Sequence, residues 1–366
     1  MTWSPPTPEE QVRFLRNVQR LLAEGQFTAS YKFALVHALA DLAVLRGDDT
    51  GAPLTIETRE IAARFVELYW RQARPFPAGG VAEVVLAQNA GRQAAIVTQV
   101  AAAQAASQGS LFRFRQEAGR WDALVAEAER VVRSMPLWKL QTVGREPLPF
   151  LYENVGRGTS VTLLPGVAYC LRAFYELVRD LIEGAWVRFV QKLNADRLGG
   201  VVNLGTFLFG EGRASLEAYR PILADVQDGR CLYCGGELTG STQVDHFVPW
   251  SRYPSDVGQN LVLAHERCNA AKSDFLAAEV HLAAWVRRNR DRRAELTTHL
   301  AAAGLAGDPA AAERVARWVY RQTATANGQV WVAGKELKPL TAEWEGCFDG
   351  DPQLGPSPHS SPMADG

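Results

Sequence analysis

Four residues constrain the folding of this chain more than any others. Cys231 and Cys234 form a C-x-x-C knuckle, and His265 and Cys268 form an H-x-x-C knuckle, with thirty residues between them. Two such knuckles flanking a short hairpin bring four N/S ligands to one tetrahedral site, the ligand set of a structural zinc ion. A lone C-x-x-C pair would also suit a redox couple or two buried thiols. No βαβ pattern surrounds this one, and the second knuckle completes the set. The reading is a closed zinc site.

A second group of donors lies between and beside the knuckles. Asp245-His246 ends a strand-like run that includes Gln243 and Val244, and Asn269 follows Cys268 at the start of a helix-like run. Carboxylate and amide oxygens are hard ligands, suited to magnesium or manganese rather than zinc. Two protein ligands leave room for waters and a phosphate. A neutral imidazole beside such a cation can take a proton from water. Adjacent side chains on a regular strand point to opposite faces. Asp245 and His246 are therefore expected to converge only if the backbone leaves the strand there, with Pro249 and the loop up to Asn260 supplying the irregularity. The Asn260 amide is placed to pin that loop and orient His246.

The run D-H-F-V-P-W-S…N-L-V-L…H-x-x-C-N-x-x-K-S-D resembles the HNH endonuclease module, a ββα-metal nuclease, with an embedded zinc ribbon. The resemblance covers about 50 of the 366 residues. It implies an acidic metal ligand at Asp245, a general base at His246, a loop-holding amide at Asn260 and a second metal ligand at Asn269. It departs from the family at His265, where the third zinc position is usually Cys. The implied activity is phosphodiester hydrolysis with catalytic Mg2+ or Mn2+ and structural Zn2+. The implied partner is DNA, double-stranded by expectation, with a homodimer or partner subunit as a way to cut both strands. A role in bacterial restriction or phage defence follows only from family habit.

The expected fold class is mainly α: a large helical N-terminal region over 1–214, the small zinc-bearing nuclease domain over 215–300, a helical extension over 301–349 and a disordered tail over 350–366. Thr7-Pro8-Glu9-Glu10 has the form of a capping box with Pro at the first helical position. Helices are predicted over about 8–22, 30–45, 58–71, 81–106 (weakened at Gly91), 121–133, 167–194, 215–227, 277–293 and 309–325. Short strands are predicted at 111–114 and 330–332. A β-hairpin is predicted between 150–152 and 161–164, around Gly156-Arg157-Gly158. His37 is read as a surface or core residue of its helix, not a ligand.

Net charge is −1, so nucleic-acid affinity must come from local patches. The densest basic run is Arg287-Arg288-Asn289-Arg290-Asp291-Arg292-Arg293. Arg287, Arg288, Arg290, Arg292, Arg293 and Lys272 are the candidate nucleic-acid contacts. Gln88, Asn89, Arg92 and Gln93 are a second, weaker polar set; a solvated helix face is the plainer account of them. No apolar run reaches the ~18 residues of a membrane span, and no signal peptide is evident, so a cytoplasmic setting is expected. The remaining cysteines, Cys170 and Cys347, stand apart, as in a reducing compartment. Two other functions fit the same residues: a non-catalytic zinc ribbon that binds nucleic acid, or a nuclease for RNA or single strands.

Overall fold

The computed structural model describes residues 2–76, 84–91, 93–153, 158–198, 203–210 and 216–349. Arg92, Gly156, Arg157 and the tail from Gly350 fall outside the described residues. The chain is mainly α and divides into two compact units, Met1–Gly210 and Glu211–Gly366.

The first unit begins with α1 (Pro8–Glu24). Thr7 Oγ1 accepts from Glu10 N while Glu10 reaches back to Thr7 N, so the expected capping box is present. Next come α2 (Tyr31–Arg46), β1 (Leu54–Glu57) and α3 (Thr58–Gln72). Almost every residue of α2 is buried, which makes it the axis of this unit. His37 sits on α2, buried between Asp41 (3.4 Å) and Glu183 (3.3 Å).

Four expectations fail in this unit. Residues 84–94 are not helical: β2 (Pro75–Phe76) pairs with β3 (Val84–Val85), and α4 spans only Ala95–Ala106. The cause is Gln88, whose buried amide donates to Gln72 and accepts from Trp186, partners far away in the chain. Gln93 is likewise spent on local backbone, at Leu86 O and the amides of Gln88 and Ala94. Residues 111–114 form a helix, not a strand. Ser110 caps α5 (Leu111–Gln116), and Phe114 is buried on it beside Trp70. It is followed by α6 (Ala118–Ser134) and α7 (Pro136–Lys139).

Small β4 (Thr142–Val143) and β5 (Glu146–Pro147) pair with each other. The 150–164 hairpin is replaced by a long-range pairing. β6 (Ser160–Leu163) pairs along its length with β1, and Tyr152 adds only a single bridge to Leu163. The expected long helix is two: α8 (Val167–Ala173) and α9 (Tyr175–Leu193), broken where Phe174 leaves helical geometry. α10 (Leu204–Phe209) follows.

The second unit opens with α11 (Arg220–Val226), which packs its Ile222, Leu223 and Val226 into one cluster with Leu261, Leu263, Leu296 and Leu300. β7 (Thr242–His246) and β8 (Leu261–His265) form an antiparallel pair in which Asp245 faces Val262 and His246 faces Leu261. α12 (Glu266–Lys272) follows directly, completing a ββα unit. Then come α13 (Glu279–Asp291), α14 (Arg293–Ala303) and α15 (Pro309–Thr325). A hairpin of β9 (Gln329–Ala333) and β10 (Glu336–Pro339) and a short α16 (Gly346–Asp349) close the unit. Gly258 has no room for a side chain: a Cβ there would stand 2.5 Å from Leu300 Cδ1. That close approach seats the turn before Asn260 on α14.

Candidate active site

The two knuckles meet. The ligand atoms of Cys231, Cys234, His265 and Cys268 all lie within 4.8 Å of one another. His265 Nδ1 is 3.3 Å from Cys234 Sγ, near the ~3.6 Å edge of a tetrahedron with zinc-type bond lengths. His265 Nε2 sits 2.9 Å from the Glu237 carbonyl. A proton on Nε2 donates there and leaves the Nδ1 lone pair for a metal ion. Burial, and then the charges of Cys231 and Cys234, push the Cys268 thiol up to about 12. Three sulfurs so close cannot all ionise without a cation among them. The donors and their spacing fit a zinc-like ion, and His265 belongs to this cluster.

Asp245 is held from two sides. Tyr233 Oη stands 2.5 Å from its Oδ2, and Lys272 Nζ is 3.1 Å from the same oxygen. Lys272 also donates to the His246 carbonyl at 3.0 Å. Lys272 is fully buried, so it is a tether between two neighbouring residues of β7 and not a surface contact for phosphate. That corrects its place among the candidate nucleic-acid contacts: an ammonium this deep stays only where oxygens replace its water.

Asn269 faces Asp245 from the first turns of α12. Its Nδ2 donates to Gln243 Oε1 at 2.7 Å. The other end of the amide stands 3.0 Å from Asp245 Oδ1 and 3.3 Å from Oδ2. Two oxygens at that distance repel unless a proton or a cation stands between them. Turned over, the amide would donate to the carboxylate instead. An octahedral cation with ligands at about 2.1 Å has neighbouring ligand atoms about 3.0 Å apart. With the amide oxygen toward the carboxylate, the Asp245–Asn269 spacing equals that edge.

His246 is buried, and its ring lies against Trp250 with centroids 5.3 Å apart. Its Nε2 is 2.9 Å from Asp256 Oδ1. The backbone stays in register through His246 and turns only afterwards, where Pro249 O accepts from Arg252 N and Tyr253 N. The departure from strand geometry expected at Asp245-His246 is therefore absent: both residues stay in β7, and the chain turns only after them. Asn260 fastens the loop. Its Oδ1 accepts from Val248 N, its Nδ2 donates to Val248 O, and its carbonyl accepts from Phe247 N. Gln259 just before it is fastened in turn: its carbonyl accepts from Trp285 Nε1, Arg288 Nη2 and Asn289 Nδ2 at 2.8–3.1 Å.

Arg288 gives its other terminal nitrogen to Leu261 O and is buried. It braces the Asn260 loop and cannot reach a nucleic acid, a second correction. Arg292 is paired with Asp228 and Glu295. Arg287, Arg290 and Arg293 remain exposed, with Arg290 also donating to Phe348 O. The helix expected over 277–293 is two, so the basic run is split between them: α13 ends at Asp291 and α14 starts at Arg293.

Sequence reasoning missed Tyr233, Gln243, Trp250 and Asp256. Tyr233 lies inside the first knuckle, so its spacing carried a trace of its place. Asp256 is the single acid in the loop between β7 and β8, but that loop is irregular and no periodicity marks it.

A family model described as HNH endonuclease matches residues 231–275. These residues hold both knuckles, β7, the Asn260 loop, β8 and α12. No curated protein and no solved structure matches the chain. Among the described residues, no helix is long and apolar enough to cross a membrane.

Proposed function

We propose that this protein is a metal-dependent endonuclease that hydrolyses phosphodiester bonds, with double-stranded DNA as its substrate. The observation that carries the reading is the ββα unit that sets Asp245 against Asn269 with His246 next in the strand. A non-catalytic zinc ribbon would need none of these three.

Asp245 and Asn269 would hold Mg2+ or Mn2+. When bound, such a cation supplies Lewis-acid stabilisation of the charge that develops on the phosphate and the leaving oxygen. His246 takes the proton from the attacking water. Asn260 keeps the loop that follows His246 fixed, through both ends of its amide. Lys272 holds the Asp245 carboxylate and the His246 carbonyl in one geometry. Cys231, Cys234, His265 and Cys268 would hold a structural Zn2+, which would tie the hairpin to α12 in a segment too small to hold itself by apolar core alone. One base and one cation site cut one strand per engagement. A double-strand break then takes a dimer, a partner subunit or two visits. A role in restriction or defence follows from family habit alone.

The test is incubation of the purified protein with supercoiled plasmid, linear duplex and RNA, each with magnesium, manganese or chelator. Metal-dependent nicking of plasmid, absent in His246→Ala, is the expected result. No cleavage of any substrate with either metal would overturn the reading; cleavage of RNA alone would replace its substrate.

A further inference from the structure

His246 Nε2 has a carboxylate partner that the resemblance does not supply. We infer that Asp256 is a positioning residue that fixes both the orientation and the tautomer of the His246 ring. The inference rests on the reading of His246 as the base of a phosphodiesterase.

The two groups are 2.9 Å apart, within reach of a full hydrogen bond. A neutral imidazole has one N–H and one lone pair. A carboxylate accepts only, so it selects the tautomer with the proton on Nε2. The lone pair then sits on Nδ1. Among the described residues Nδ1 has no hydrogen-bond partner, nor is it a fully buried orphan. It is the nitrogen left to accept a proton from outside the protein.

The carboxylate is itself held in place. The Asp256 carbonyl accepts from Tyr219 Oη at 2.9 Å. On one side Ser255 O accepts from Asn260 Nδ2, and on the other Val257 O accepts from Asn260 N. Tyr219 is fastened in turn, accepting from Ala306 N. Asn260 thus grips two stretches at once, Phe247-Val248 after the histidine and Ser255–Val257 around the aspartate. One amide side chain sets the distance between the imidazole and its acceptor. Trp250 against the ring restricts its rotation further. A surface ion pair would need none of this bracing, and here the histidine is only 6% exposed.

The experiment uses the full chain, with histidines labelled in 15N and no divalent cation added. Spectra are taken at a pH where the ring is neutral. Wild type should show His246 as one tautomer, protonated at Nε2, with that proton slow to exchange. Asp256→Ala should show averaged tautomers and a fast-exchanging ring proton, while zinc content and melting curve stay as in wild type. Asp256→Glu should restore part of the wild-type pattern. In plasmid cleavage, Asp256→Ala should lower kcat about 10- to 100-fold with KM unchanged, a part of the general-base contribution. An unchanged spectrum and unchanged kcat in Asp256→Ala would overturn the inference. If wild type cuts nothing yet its ring is locked by Asp256, the nuclease reading falls and the positioning role stands.

Discussion

Tyr233 Oη lies 2.5 Å from Asp245 Oδ2, and Tyr233 is the residue immediately before Cys234 in the first knuckle. The Cys/His cluster and the Asp245–Asn269 pair are thus joined by one hydrogen bond. Tyr233 is buried, edge-on to His281 and Trp331, so its hydroxyl has little freedom to point elsewhere.

Tyr233→Phe removes that bond and keeps the ring. Asp245 retains Lys272, so the fold should survive with a loss of about 1–3 kcal/mol. Partners of metal ligands typically tune affinity by about 10- to 100-fold. Mn2+ binding, followed by electron paramagnetic resonance, should weaken by about that factor while zinc content stays unchanged. Equal Mn2+ affinity in both proteins would remove Tyr233 from the site.

The two metals should part cleanly under mutation. Cys231→Ser should lose zinc and fold together, because metal binding in so small a segment is folding energy. Asp245→Ala should keep zinc and stop cleavage. Since cysteine binds a metal as thiolate, zinc uptake should release protons. Calorimetry in buffers of different ionisation enthalpy measures that release. Zinc loss of the same size in both variants would mean that the sites are not separate.

The first unit should carry its own pH dependence. Burial disfavours the charged form of His37, but Asp41 and Glu183 outweigh it and raise the imidazole to about 10. A group whose folded value is raised contributes its full stability below the unfolded value of about 6.5 and loses it as pH climbs toward the folded one. Stability in urea should therefore decline between about pH 6.5 and 10, and His37→Gln should flatten that decline. A wild-type curve flat over this window would show the ring neutral.

The zinc set and the ββα order were legible because ligand spacing is a covalent constraint, and the matched segment carries both. Helices with strong local signals were legible too, as at Thr7–Glu10 and over Pro309–Thr325, the bounds that α15 takes. What failed was decided by distant partners. Gln88 is drawn out of a helix by Gln72 and Trp186, and β6 takes its partner from a strand about a hundred residues earlier. Charge misled in the same way. The composition of 287–293 does not say that Arg288 points inward to Gln259 and Leu261.

That inward arginine gives the final prediction. Arg288→Met should destabilise the second unit, because hydrogen bonds from a charged donor to two carbonyls disappear, at about 2–4 kcal/mol in all. Gln259 O keeps Trp285 and Asn289, which limits the effect. Any DNA affinity that remains should keep the wild-type salt dependence. Serines at Arg287, Arg290 and Arg293 should do the reverse: stability nearly unchanged, and a slope of log affinity against log salt flatter by about 0.9 for each phosphate that is no longer neutralised. The measurement is fluorescence anisotropy on a labelled duplex at several salt concentrations, in the His246→Ala background so that the duplex is not cut. A wild-type slope in the triple variant would place the DNA-facing surface elsewhere in the chain. A flattened slope in Arg288→Met, with melting unchanged, would mean that this guanidinium turns outward to meet the backbone.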